Sequence, residues 1–103
     1  MSQPEQAVVV KFAYGLESTD AIFALEEQLE TAIEKAGVGD FDGDEIAADL
    51  SDGYLYMYGP DADAVFRVVE PILKSAAFMH GARVEMIYGT LGEDVPRKVV
   101  EIS

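Results

Sequence analysis

The residues with the most evident capacity for chemistry are carboxylates at alternate positions in one short segment. Asp40, Asp42 and Asp44 alternate, and carboxylates with this spacing open the calcium loop of an EF-hand. That loop requires glycine at its sixth position and a bidentate glutamate at its twelfth, where this chain has Glu45 and Ser51. The three aspartates are therefore only weak candidates for binding Ca²⁺ or Mg²⁺, and a polar turn is the simpler interpretation.

The other residue types that carry chemistry give no catalytic pattern. His80 is the only histidine and the chain has no cysteine, which excludes thiol chemistry and cysteine-ligated metals. The sequence contains no P-loop, no dinucleotide-binding motif and no zinc-protease motif. We therefore expect no catalytic residue and no cofactor, and a binding protein is favoured over an enzyme.

Three tyrosines form the most distinctive pattern in the chain. Tyr54, Tyr56 and Tyr58 alternate between Gly53 and the Gly59-Pro60 dipeptide. A period of two predicts a β-strand that places all three phenol groups on one face. The glycine and proline end that strand, and a helix is expected to follow at once.

The charge of the chain limits its partners. Among its 103 residues, 20 are acidic and 7 are basic, which gives a net charge of −13. Nucleic acids and anionic membranes repel such a surface, whereas a basic protein is attracted to it. No apolar run approaches the ~18 residues of a membrane-spanning helix. We expect a cytoplasmic protein that binds neither nucleic acid nor membrane.

Hydrophobic periodicity predicts strands and helices in the order β-α-β-β-α-β. Residues 1–6 are predicted to be a flexible tail, and residues 7–103 a single domain. This order predicts an α+β, ferredoxin-like sandwich with a four-stranded antiparallel sheet and two helices on one face. An additional C-terminal edge strand is allowed at 98–102. The predicted strands are 7–14, 45–50, 53–58 and 83–88, and the predicted helices are 18–36 and roughly 61–77.

The face that the tyrosines occupy depends on the hairpin before them. If Asp52-Gly53 is a two-residue loop, Asp49 opposes Tyr56 and the tyrosines lie on the helix-free face. If Ser51 joins the loop and a bulge follows, the parity reverses and the tyrosines enter the core. Three buried phenol hydroxyls would each need a partner, which favours the helix-free face.

An internal repeat favours the opposite assignment. Tyr14-Gly15 is followed by Asp-Ala-Ile-Phe at 20–23, and Tyr58-Gly59 is followed by Asp-Ala-Val-Phe at 63–66. Such a repeat is expected from the two related halves of a ferredoxin-like fold. It equates Tyr58 with Tyr14, whose position in the first strand is on the core side. Both alternatives stay open at this point.

The helix-free face is the predicted site of function. An apolar or aromatic patch there suggests a docking surface, and the chain is expected to form a homodimer or to dock on a basic protein as an inhibitor or immunity-type protein. The alternative is a small-molecule-binding or enzymatic domain with a cleft at the dimer interface or at the helix N-termini. The predicted partner-binding residues are Lys11, Asp49, Tyr54, Tyr56, Tyr58, Arg83, Glu85 and Ile87.

Three segments resemble those of small uncharacterised bacterial proteins of about this length. The segments are DFDGDEI, YLYMYGPDAD and GARVEMIYG, and the resemblance extends over most of the chain. It implies a ferredoxin-like pattern, but it implies no function and transfers no site residue.

Overall fold

A computed structural model describes residues 5–90 and 94–102, within which the chain forms five β-strands and two α-helices. Residues 1–4 of the predicted tail lie outside the described residues, and Gln6 belongs to the first strand. The elements are β1 (Gln6–Ala13), α1 (Asp20–Ala36), β2 (Asp40–Ile46), β3 (Asp52–Gly59), α2 (Ala62–Ser75), β4 (Arg83–Ile87) and β5 (Arg97–Glu101).

The strands form one antiparallel sheet in the order β2-β3-β1-β4-β5. The small α+β architecture is confirmed, but the sheet has five strands and not four. The fifth strand is the C-terminal segment, whose Lys98 and Val100 pair with Met86 and Val84 of β4. The central strand is β1, which is flanked by β3 and β4.

The hydrophobic core lies between one face of the sheet and the two helices. Val8 and Val10 of β1 pair with Met57 and Leu55 of β3, and all four are fully buried. They pack in one cluster with the apolar stripes of the helices, because residues three and four apart fall on the same helix face. The buried helix residues are Ile22, Leu25, Leu29 and Ile33 of α1 and Ala62, Val65, Val69 and Leu73 of α2.

Both helices begin and end within two residues of their predicted bounds. The Asp61 side chain caps α2 by accepting hydrogen bonds from the backbone N–H groups of Asp63 (3.0 Å) and Ala64 (3.4 Å). Gly37 ends α1 in the left-handed conformation, with φ of 66°. Among the described residues, neither helix is both long and apolar enough to cross a membrane.

The predicted position of the second strand was wrong. β2 covers Asp40–Ile46 and not 45–50, and residues 47–51 form the loop that precedes β3. Asp52 and Gly53 belong to β3, where a Cβ on Gly53 would lie 2.8 Å from Ile46 Cδ1 and 3.0 Å from Phe12 Cζ. This glycine therefore leaves room for neighbouring side chains and does not form a two-residue turn.

Candidate interaction surface

The strand register defines the face of the sheet opposite the helices. Tyr54, Tyr56 and Tyr58 alternate with the buried Leu55 and Met57, so the three phenol groups lie on the helix-free side. The pairing of the other strands extends this side across the sheet, and we call it the tyrosine face. Its members are Asp40, Gly43 and Glu45 of β2; Asp52, Tyr54, Tyr56 and Tyr58 of β3; Ala7, Val9, Lys11 and Ala13 of β1; Arg83, Glu85 and Ile87 of β4; and Arg97, Val99 and Glu101 of β5.

The tyrosines form an ordered, half-buried row. The rings of Tyr54 and Tyr56 stack with their centroids 6.2 Å apart and an interplanar angle of 17°. The phenol of Tyr56 donates a hydrogen bond to Oε1 of Glu45 at 3.2 Å. On the neighbouring strand, Nζ of Lys11 lies 5.8 Å from the centroid of the Tyr54 ring, which is within the range of a cation–π contact.

The phenol groups of Tyr56 and Tyr58 stay protonated at neutral pH. Desolvation raises the pKa of Tyr56 above its ordinary value, and the charge and hydrogen bond of Glu45 raise it further. Desolvation also raises the pKa of Tyr58, with added contributions from the charges of Asp42 and Glu5. Each phenol therefore offers a partner an apolar ring and a neutral hydroxyl.

Charge is unevenly distributed over the tyrosine face. Arg97 forms an ion pair with Glu85 on the β4–β5 half of this face. The β2–β3 half carries three carboxylates and no basic residue within those two strands, whereas the cations lie on the other three strands. The carboxylates of the first half are Asp40, Glu45 and Asp52; the remaining charged members are Lys11, Arg83, Arg97, Glu85 and Glu101.

A shallow depression occupies the β4–β5 side of the tyrosine face. It has a volume of about 440 Å³ and is lined by Gly81, Arg83, Val99 and Glu101. Val99 exposes 46% of its surface there. Aromatic side chains therefore lie on one side of β1, and a depression lined by a cation and an exposed apolar residue lies on the other.

Six of the eight predicted partner-binding residues lie on the tyrosine face with side chains at least partly exposed, a seventh lies there almost fully buried, and the eighth lies elsewhere. Ile87 belongs to the face but is only 2% exposed, so it offers a partner almost no surface. The predicted pairing of Asp49 with Tyr56 is wrong, because Gly43 occupies that position. The six residues brought together are Lys11, Tyr54, Tyr56, Tyr58, Arg83 and Glu85.

Asp49 instead stabilises the loop between β2 and β3. Its Oδ1 accepts hydrogen bonds from the hydroxyl of Ser51 (2.6 Å) and from the Ser51 backbone N–H (3.0 Å). These bonds, the hydroxyl first, lower the pKa of the Asp49 carboxyl. Asp49 is fully exposed, so its role in this structure is a local one in a turn.

The three metal-ligand candidates do not converge. Asp40 pairs with Tyr58 on the tyrosine face, and Asp42 lies at a β-bulge between the paired residues Phe41 and Gly43. Asp44 pairs with the buried Leu55 and therefore lies on the helix side. Within residues 5–90 and 94–102, no group of three or more His, Cys, Asp or Glu residues is placed to hold a metal ion.

A carboxyl pair between α1 and β2 was missed from the sequence. Oε2 of Glu26, a residue of α1, is buried, and no hydrogen-bond donor among the described residues reaches it. Burial raises the pKa of Glu26 to about 8, and a side-chain hydrogen bond and the charge of Asp44, followed by the charge of Glu30, add to the rise. Glu26 therefore keeps its proton at neutral pH, where its carboxyl group can donate a hydrogen bond to Asp44. The sequence could have indicated this pair only if the position of β2 had been predicted correctly.

A second cleft, of about 250 Å³, lies between α2 and the helix side of β4 and β5. Asp63, which lines this cleft, accepts a hydrogen bond of 2.6 Å from the phenol of Tyr88. That bond is the main cause that raises the pKa of Tyr88 to about 12. The cleft therefore adjoins the N-terminus of α2, but its carboxylate is already engaged within the chain. The lining residues are Asp63, Phe66, Arg67, Met86, Lys98 and Val100.

Comparison of the chain with protein-family models, with curated proteins and with solved structures gave no match.

Proposed function

We propose that this chain is an association module with a ferredoxin-like arrangement, and that its tyrosine face binds a second copy of the chain. The order β2-β3-β1-β4, with both helices packed on the other face, supports the ferredoxin-like arrangement. β5 then extends such a sheet beyond β4. A face without helices is the surface that this arrangement leaves free for association.

The observation that carries the proposal is the row of half-buried tyrosines beside Val9. Tyrosine is enriched at protein interfaces because its ring is apolar and its hydroxyl still finds hydrogen-bond partners. Val99, an exposed apolar residue, lies on β5 at the far edge of the sheet. A contiguous aromatic and apolar patch on β3 and β1 supports docking better than isolated exposed side chains do.

The charge of the tyrosine face favours a second copy as the partner. The whole chain carries a net charge of −13, but this face has five carboxylates and three of the chain's seven basic residues. Two copies that meet through this face bring together surfaces close to charge balance. Any other approach would bring strongly acidic surfaces together, which costs free energy.

A basic protein is the alternative partner for the tyrosine face, and the test must distinguish it from a second copy of the chain. Its binding would rest on the carboxylates of the β2–β3 half and would weaken as salt screens the attraction. Self-association between two acidic chains responds in the opposite way, because salt screens their overall repulsion. The dependence on salt therefore separates the two partners.

The test compares two variants that introduce the same charge. Tyr56→Asp places a carboxylate at the centre of the tyrosine face, whereas Phe23→Asp places one at an α1 residue that is 52% exposed. We expect Tyr56→Asp to abolish the dimer in sedimentation equilibrium and Phe23→Asp to retain it. Circular dichroism should show both variants folded. Equal dimerisation of a folded Tyr56→Asp and of Phe23→Asp would refute the proposal.

A further inference from the structure

We infer that two copies pair about a two-fold axis parallel to β1, so that Tyr54 of each copy enters the Arg83 depression of the other. This inference rests on the proposed function, because it specifies how two tyrosine faces meet. It names the contact that fixes their relative orientation.

Two symmetric arrangements are available to facing sheets. The axis of a face-to-face dimer lies in the interface, and strands of aligned sheets run close to one common direction. Val9 is the centre of the tyrosine face, because it pairs with Tyr56 on one side and with Glu85 on the other. An axis along β1 places β3 of one copy on β4 of the other and β2 on β5. An axis across the strands places every strand on its own counterpart.

Shape favours the axis along β1. The tyrosines lie on β3, and the depression of about 440 Å³ lies on the opposite side of β1. Rotation about β1 places Tyr54 opposite Arg83 of the second copy, because both pair with Lys11. Rotation about the other axis sets tyrosines against tyrosines and leaves both depressions empty, which forfeits packing contacts.

Charge gives the two axes a similar balance and leaves the choice to shape, because each axis sets one of Asp40 and Glu101 against Arg97 and the other against Glu45. An axis across the strands places Asp40 opposite Glu45 of the second copy and Glu101 opposite Arg97. The axis along β1 lays the acidic half on the half that contains Arg83 and Arg97. Asp40 and Arg97 lie at opposite ends of one row of paired residues across the sheet, which runs through Tyr58, Ala7 and Ile87. Asp40 therefore faces Arg97 of the second copy.

The contact between Tyr54 and Arg83 has suitable chemistry. An arginine guanidinium is planar and stacks on an aromatic ring, and such a contact strengthens when water is excluded. The face is narrow, with five strands spaced ~4.8 Å apart. We therefore expect an interface near the lower limit for specific complexes and a dissociation constant in the micromolar range.

One substitution distinguishes the two axes by the sign of its effect. Glu45 and Glu101 lie at opposite ends of the row of paired residues that contains Lys11. The axis along β1 therefore places Glu101 opposite Glu45 of the second copy. The other axis places Glu101 opposite Arg97. Glu101→Lys therefore strengthens the dimer under the first arrangement and weakens it under the second.

The control for this substitution is Glu34→Lys, an equal change of charge at an exposed residue of α1. Dimer dissociation constants of the wild type and both variants are measured at low salt by sedimentation. We expect Glu101→Lys to bind up to about tenfold more tightly than Glu34→Lys. If the wild type dimerises but Glu101→Lys binds no more tightly than the control, the orientation is refuted and the proposed function survives. A wild type that stays monomeric refutes both.

Cross-linking provides a second readout in a chain that has no cysteine of its own. Facing strands of stacked sheets lie ~10 Å apart, beyond the reach of a disulfide, so a short bismaleimide is used. Tyr54→Cys mixed with Arg83→Cys should cross-link efficiently between copies. If Tyr54→Cys cross-links instead to Tyr58→Cys, the axis runs across the strands and the inference is wrong.

Discussion

The phenol of Tyr56 reaches diagonally across the β2–β3 pair to Oε1 of Glu45, 3.2 Å away. The residue directly opposite Tyr56 is Gly43, whereas Glu45 lies opposite Tyr54. Gly43 has no side chain to contact Tyr56 directly, and the diagonal bond to Glu45 links the acidic edge strand to the tyrosine row. Diagonal pairs of this kind stabilise antiparallel sheets and orient long side chains.

Glu45→Gln should lower the pKa of Tyr56 without returning it to its ordinary value. The substitution removes the charge and weakens the hydrogen bond, but the desolvation that contributes most to the rise stays. The free energy of unfolding should change by less than about 1 kcal/mol, since the pair is exposed to solvent. NMR titration of the tyrosine rings measures the pKa. The pKa of Tyr58 serves as the internal control, because desolvation and the charges of Asp42 and Glu5 raise it and Glu45 does not.

Glu26→Gln should stabilise the fold increasingly as pH rises. In the folded chain Glu26 keeps its proton up to a pKa of about 8, whereas its unfolded value is 4.5. The folded state thus binds more protons between these values, so the free energy of unfolding of the wild type falls as pH rises through this window. The glutamine amide can donate to Asp44 without a proton to lose, and we expect a gain of about 1 kcal/mol at pH 8.

Urea denaturation between about pH 5.5 and pH 8.5 tests this prediction, because ordinary carboxyl groups are already ionised there. Glu34→Gln, at an exposed position of α1, is the matched control and should follow the wild-type pH dependence. A stability difference between Glu26→Gln and the wild type that does not vary with pH would show that Glu26 does not keep its proton above its ordinary pKa.

Gly59→Ala should destabilise the fold far more than Gly15→Ala. A Cβ on Gly59 would lie 2.2 Å from the carbonyl oxygen of Val38 and 3.0 Å from Val65 Cγ2. The backbone must move to relieve the first of these contacts, and we expect a loss of about 3 kcal/mol. Gly15 has φ of 70° with open space around it, so its substitution should cost only about 1 kcal/mol. Thermal and urea unfolding of both variants measure the difference, and equal losses would contradict this packing at the end of β3.

The sequence predicted the elements and their order better than it predicted the second strand. The alternation of β1 and β3 and the apolar stripes of both helices are local signals, and they were sufficient for the α+β architecture. Asp52-Gly53 has the composition of a hairpin turn, but Gly53 lies within the strand, where a Cβ would crowd the ring of Phe12 and the end of the Ile46 side chain. The real loop contains Leu50 with φ of 62°, a conformation that its residue type does not predict.

The cost of burying three hydroxyl groups correctly predicted that the tyrosines lie on the helix-free face, whereas the internal repeat predicted that they face the core. Tyr14 follows the end of β1, and its hydroxyl donates to the carbonyl of Ser18 and accepts from the N–H of Ile22. Tyr58 lies within β3 and belongs to the helix-free side. Positions that are equivalent in sequence therefore differ in the direction of the side chain. The carboxyl pair of Glu26 and Asp44 and the charge asymmetry of the tyrosine face depend on strand register, which the sequence alone did not supply.

The most direct test of the central proposal is the solution mass of the unmodified chain by light scattering at low and high salt. Self-association through the tyrosine face predicts a mass approaching twice 11.2 kDa at concentrations of roughly 100 µM, with a dimer fraction that is unchanged or larger at high salt. A mass of 11.2 kDa at both salt levels would contradict the proposal and would leave the acidic half of the face as a site for a basic protein.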